Sequence, residues 1–268
     1  MSGRHATMAE GQPSFALNDR RSSLNHPQAL QFFGVFIAIF VVLLTMLWKV
    51  AMKILEEPEK RLAAEDLPGV GVRLDTALGP VEARTFGKKG APLVLCIQGK
   101  SLKTDVVQEW YPAATALAAR GRFVVVPNLH SNPRTKPGDV RSFDLQAILM
   151  GVCSRFGAER AAVLGKSWGG GEALLFSATH PHLVTHLVMV APSPSEVPAY
   201  TLARIEAPCL LFWARDDSVK SVSHAELYTS VLSPSQLAYV EVDRGGHRVL
   251  PEYVPRMAAW LVDGKADA

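Results

Sequence analysis

The sequence predicts an α/β protein: a mostly parallel central sheet flanked by helices, preceded by an N-terminal transmembrane helix. Three observations lead there. Short β-rich apolar runs alternate with longer helical patterns from Val70 onward. The pentad Gly165-Lys166-Ser167-Trp168-Gly169 stands between one such run and a glycine-rich helix start. Phe32–Trp48 is an apolar run in which Thr45 is the polar intruder.

Residues 1–31 are polar, rich in Ser, Arg and Asn, and aperiodic, which predicts a disordered tail. Residues 32–53 are expected to form a single-pass signal anchor. At about 1.5 Å per residue the run Phe32–Trp48 covers most of a bilayer core. Trp48 suits the interface, and Lys49 and Lys53 can snorkel to it. A cleaved signal peptide is disfavoured, because about thirty residues precede the run and no small-x-small site follows. Glu10 and Asp19 argue against an organellar presequence. Flanking charge, Arg20 and Arg21 before and Lys49, Lys53, Lys60 and Arg61 after, leans toward a cytoplasmic C-terminal domain, with the lumenal side left open. Residues 54–69 read as a charged linker, closed by Pro68-Gly69, and 70–264 as the globular domain.

Within that domain Val70–Leu74 and Val81–Phe86 read as an opening strand pair. Leu93–Ile97 is apolar throughout, as expected of a central strand covered on both faces. Val107–Ala119 is helical, Phe123–Val126 a strand, Phe143–Phe156 helical, and Ala161–Leu164 the strand that feeds the pentad. The helix Gly169–Thr179 follows, then strands Leu187–Val190, Cys209–Trp213 and Leu237–Val242, and a closing helix Val254–Val262.

Composition narrows the chemistry. At 268 residues and 48% hydrophobic, the chain can bury one well-packed domain with an appendage. A net charge of +3, with no dense Lys/Arg cluster interleaved with aromatics, excludes a nucleic-acid footprint. Cys96, Cys153 and Cys209 are odd in number and lie in apolar segments, so they read as buried hydrophobes and not as a disulfide framework. No Cys-x-x-Cys or His/Cys spacing suits a metal, His180-x-His182 reads as surface residues, and no cofactor is called for.

A Gly-x-Ser-x-Gly pentad at a strand-to-helix turn pushes the serine hydroxyl out at a tight corner, and the flanking glycines avoid clashes there. A serine needs a base to take its proton and an orienter to hold that base. Residues just past C-terminal strand ends share one crevice in a parallel sheet. Asp216-Asp217 follows the strand Cys209–Trp213, and His247 closes the loop after Leu237–Val242. Ser, Asp and His thus fall, in that order, at strand ends. Gln98-Gly99-Lys100 ends the first central strand, so the backbone N–H groups of Lys100 and Trp168 are candidates to hold an oxyanion.

With these pieces the chain resembles the α/β-hydrolase superfamily from about Val70 to Leu261. The resemblance implies a serine hydrolase acting on an ester, thioester or amide, with Ser167 as nucleophile, His247 as base and Asp217 as its partner. Asp216 is the fallback. Trp110, the segment Phe123–Asn128 and Asp144 also match family positions, Asp144 in a structural role. The family's His-Gly is replaced by Gln98-Gly99, and its Asp-x-x-Gly by Asn128-Leu129-His130-Ser131. Lys166 is expected to face solvent; turned into the cleft it would attract anions or alter the histidine. Pro192 to Ala207 leaves room for about one short helix, so little or no cap is expected, as in the small membrane-tethered branch. A non-catalytic interaction module and an acyltransferase on the same fold are the alternatives.

Overall fold

The computed structural model describes Ile37 and residues 39–48, 67–102, 105–193 and 199–264. The chain divides into two units, Met1–Arg61 and Leu62–Ala268. In the first, Ile37 and residues 39–48 are helical, and their large apolar side chains are 48–66% exposed. Ten contiguous residues rise about 15 Å, half of a bilayer core. Among the described residues no helix is long and apolar enough to cross a membrane. Of the range 32–53, where a transmembrane helix is expected, the described residues hold this short helix alone. Its remainder, the expected tail 1–31 and the linker residues up to 66 lie outside the described residues.

The second unit is an eight-stranded sheet in the order β1-β2-β4-β3-β5-β6-β7-β8. Its strands are β1 Val70–Thr76, β2 Gly79–Phe86, β3 Leu93–Ile97, β4 Phe123–Asn128, β5 Ala161–Lys166, β6 Val184–Val190, β7 Cys209–Ala214 and β8 Leu237–Val242. β1 and β2 pair antiparallel, as do β2 and β4; every other pairing is parallel. The wholly apolar β3 and β7, and β5, apolar up to its closing Lys166, are buried at every position, which suits strands covered on both faces.

The helices are α1 Tyr111–Ala119, α2 Ser142–Arg155, α3 Trp168–Thr179, α4 Ala199–Leu202, α5 Ala225–Val231 and α6 Tyr253–Asp263. Strand alternation sorts two cores. Leu93, Leu95 and Ile97 of β3 join residues of α2, α3, α4 and α5 on one face, among them Leu149, Phe176, Leu202 and Tyr228. Val94 and Cys96 join α1 and α6 on the other, through Leu117, Met257 and Leu261. The helix expected over Val107–Ala119 is divided: Val106–Trp110 is a 3-10 turn, and α1 begins around Pro112, whose ring suits a first helical turn and not an interior. Between β6 and β7 the described residues hold the four-residue α4, with 194–198 outside them.

Candidate active site

β5 runs straight into α3, and Ser167 is the corner between them. Its backbone has φ 52° and ψ −121°, a conformation a side chain rarely adopts. The turn is locked from both sides: Ser167 N–H donates to Val190 O at 2.9 Å, and Ser167 O accepts from Ser193 N–H at 2.8 Å and Gly171 N–H at 3.1 Å. The flanking glycines are sterically required. A Cβ on Gly165 would strike the carbonyl of Gly169, and one on Gly169 would lie 2.6 Å from Ile97 O.

The oxyanion candidates follow from the same packing. Trp168 opens α3, so its N–H has no carbonyl one turn back to bond. Gly99 lies so close to the corner that a Cβ there would sit 3.4 Å from Ser167 Cβ, which brings the Gly99-Lys100 turn beside the serine. Gln98, where the family carries His, is fully buried and its Oε1 accepts from Leu129 N–H at 3.0 Å. The substituted glutamine thus ties the end of β3 to the end of β4. The indole N–H of fully buried Trp110 donates to Ile97 O at 3.2 Å, bracing β3 from the other face.

The candidate acid and base meet across two loops. Asp217 Oδ2 lies 2.7 Å from His247 Nδ1. Its Oδ1 accepts the N–H groups of Val219 at 2.9 Å and Lys220 at 2.8 Å, and its side chain is wholly out of solvent. A carboxylate so held is fixed in place and directed at the imidazole. Asp216, the fallback, faces elsewhere: its Oδ1 accepts the N–H groups of Gly245 at 2.8 Å and Gly246 at 2.7 Å. His247 Nε2 is buried without a hydrogen-bond partner among the described residues. Ser167 Oγ makes no hydrogen bond to it. The geometry therefore joins Asp217 to His247 and leaves the Ser167 hydroxyl and Nε2 unengaged. Burial, and then the carboxylates of Glu252, Asp217 and Asp216, raise the Tyr253 phenol, so it stays neutral beside the pair.

A cavity of about 360 Å³ opens over Ser167, lined also by Lys100, Trp168, Leu175, Val219 and Lys220. It therefore joins the elbow to the loop that carries Asp217. Glu172, on α3, contributes to its wall and accepts from Ser142 Oγ at 2.8 Å; nothing in the sequence singled it out. The three cysteines are free and buried, and burial raises Cys96 and Cys153 and pushes Cys209 up to about 12, so none supplies a thiolate.

One expectation is corrected. Lys166 does not face solvent: it is 6% exposed, and its Nζ lies 2.6 Å from Glu109 Oε2. As the last residue of β5 it projects from an inner strand into the protein, where an ammonium requires a partner. Glu109 carried no sequence signal, since the pair is joined by folding across 57 residues.

Residues 92–206 match a family model described as the alpha/beta hydrolase fold. Over 141 residues the chain is 30% identical to a cutinase of Thermobifida alba, an alignment covering 49% of this chain and 45% of the relative. The chain thus spans about half the length of that curated relative. Among solved structures, a predicted CIB-like hydrolase from Thermoplasma acidophilum superposes with a TM-score of 0.63 at 21% identity, over 72% of this chain and 98% of that one. A carboxylesterase from Bacillus subtilis gives 0.60 at 18%, over 74% and 94%. The chain has the alpha/beta hydrolase fold.

Proposed function

We propose that this chain is a membrane-anchored serine hydrolase that cleaves a carboxylic ester, a thioester or an amide through an acyl-enzyme. What carries the proposal is the bond of 2.7 Å between Asp217 Oδ2 and His247 Nδ1, which leaves a buried Nε2 with no partner, together with the strained corner that presents Ser167. The cutinase and carboxylesterase likenesses support ester chemistry in particular. Ser167 Oγ attacks the carbonyl carbon while its proton passes to His247 Nε2. The N–H groups of Lys100 and Trp168 hold the oxyanion. The imidazolium, steadied by Asp217, protonates the leaving group, and water then releases the acyl chain by the same route. Hydrogen bonds of this kind tighten in the Michaelis complex, where the Ser167 hydroxyl engages Nε2.

A fluorophosphonate probe tests the assignment. The wild type should be labelled at Ser167, and Ser167→Ala should lose both labelling and turnover of 4-nitrophenyl butyrate while keeping its melting transition. Labelling of the Ala variant at another residue would refute it.

The membrane half of the proposal draws on Phe32–Trp48 and on the exposed apolar helix over 39–48. The corresponding organisation is a tail 1–31, an anchor 32–53, a linker 54–69 and a hydrolase domain 70–264 on the cytoplasmic side. Carbonate-resistant membrane association that is lost on deleting 32–53, with the C-terminal domain digested by protease outside intact vesicles, is the expected result. Protection of that domain would reverse the orientation.

A further inference from the structure

We propose that the Lys166–Glu109 ion pair, whose ammonium is buried and whose carboxylate is partly exposed, is a positioning brace that sets the His247 loop against the serine corner. It rests on the catalytic reading above and adds two residues to it.

Lys166 immediately precedes Ser167, and 8% of its side chain is exposed. Burying an ammonium costs stability unless it is paired, and even a paired one is seldom more stable than a well-packed apolar residue of the same volume. A methionine would fill the position without that cost. The pair therefore calls for an explanation beyond packing, and the atoms around it supply one.

Glu109 Oε2 receives Lys166 Nζ at 2.6 Å and also accepts the N–H of Val249 at 3.4 Å. Val249 lies two residues past His247. On the other side of the histidine, Asp216 Oδ1 accepts the N–H groups of Gly245 and Gly246. His247 is thus bracketed by two carboxylates, each bonding the backbone of its own loop, while a third, Asp217, bonds its ring. The Lys166 stem also runs alongside Gly99, where an added Cβ would lie 3.6 Å from its Cδ. One ion pair therefore adjoins the serine corner and the turn that presents Lys100, and bonds the loop that presents His247. Ion pairs and hydrogen bonds are directional where apolar contacts slide, so the pair fixes the distance between loop and corner. The proton transfer from Ser167 to His247 depends on that distance, and a misplacement of about 1 Å can cost on the order of 100-fold in rate. Neither residue touches substrate; both act through the placement of others.

The test uses the full chain. The double variant Lys166→Met with Glu109→Met leaves no buried charge, so its thermal midpoint should stay near that of the wild type. Its kcat on 4-nitrophenyl butyrate and its rate of fluorophosphonate labelling at Ser167 should both fall about tenfold or more, with KM within about twofold. Glu109→Asp keeps the charge opposite Lys166 but draws the carboxylate back from Val249. It should show the same loss in kcat alone, and it serves if the double variant does not fold. Wild-type kcat and labelling rate in a folded double variant, or in Glu109→Asp, would overturn the brace while leaving Ser167 catalytic. Failure of the wild type itself to label at Ser167 would overturn the catalytic reading and the brace with it.

Discussion

Asp216 accepts the N–H of Gly246 at 2.7 Å, while its neighbour Asp217 lies at the same distance from the ring of His247. Two adjacent carboxylates serve one histidine in different ways, one through the loop backbone and one through the imidazole. Asp217→Asn should therefore lower kcat by about 10³–10⁴-fold, because an amide no longer fixes the tautomer or steadies the imidazolium. Asp216→Asn keeps an acceptor oxygen for the loop and should lower kcat by less than about tenfold. Steady-state kinetics on 4-nitrophenyl butyrate separate them, and equal losses would contradict the division of labour.

The same glycine-to-alanine change should have opposite signs at two positions. At Gly169 the new methyl would meet the carbonyls of Gln98 and Ile97, both backbone, so β3 and α3 must part. A loss of about 2–4 kcal/mol is expected, with loss of activity. At Gly151, in the middle of α2, a Cβ meets nothing within 4 Å. There alanine should add about 0.5–1 kcal/mol by restricting the unfolded chain and favouring helix. Urea midpoints of the two variants provide the comparison.

Elements whose burial is continuous were the legible ones. β3, β7 and the Ala161–Leu164 part of β5 announce themselves as unbroken apolar runs, and the order of Ser167, Asp217 and His247 follows from where those strands and β8 end. α5 carries no legible period: among its seven residues only Ala225 and Tyr228 are buried. The choice between Asp216 and Asp217 turns on which carboxylate the chain aims at the ring, a matter of loop conformation that adjacent acids do not encode. The brace was illegible for a further reason. Lys166 and Glu109 each resemble an ordinary surface charge, and only the fold reveals that one is buried and the other is within reach. Gln98 falls between these cases, a visible departure from the family pattern whose role appears only in its bond to Leu129.

Acid should weaken the fold through its histidines. His186 is held below its usual 6.5, first by burial and then by the charges of Arg122 and Arg160, and it packs edge-on against Trp260. His130 and His180 are lowered too, each mainly by burial. A depressed folded value means that the unfolded chain takes up the proton first. The stability these rings supply is thus complete above about pH 6.5 and is lost as pH falls through the folded values. The urea midpoint should drop between pH 7.5 and pH 5.5, and His186→Phe should make that slope shallower while keeping the contact with Trp260. An unchanged slope would mean that His186 titrates alike in both states.

Tyr228 offers a stabilising change. It is fully buried on α5, its ring centroid 6.4 Å from that of Trp213, and its hydroxyl has no hydrogen-bond partner among the described residues. Burial alone raises the phenol, so the group stays protonated and simply carries an unmet O–H into an apolar core. Tyr228→Phe keeps the ring and removes the desolvated hydroxyl. The variant should gain about 1 kcal/mol, a rise of roughly 2–4 °C in Tm for a domain of this size. A lower Tm would show that the hydroxyl is satisfied in solution, for which a buried water is the natural partner. Activity should be unaffected, because Tyr228 packs under β7 on the face away from α1 and α6 and does not line the cavity over Ser167.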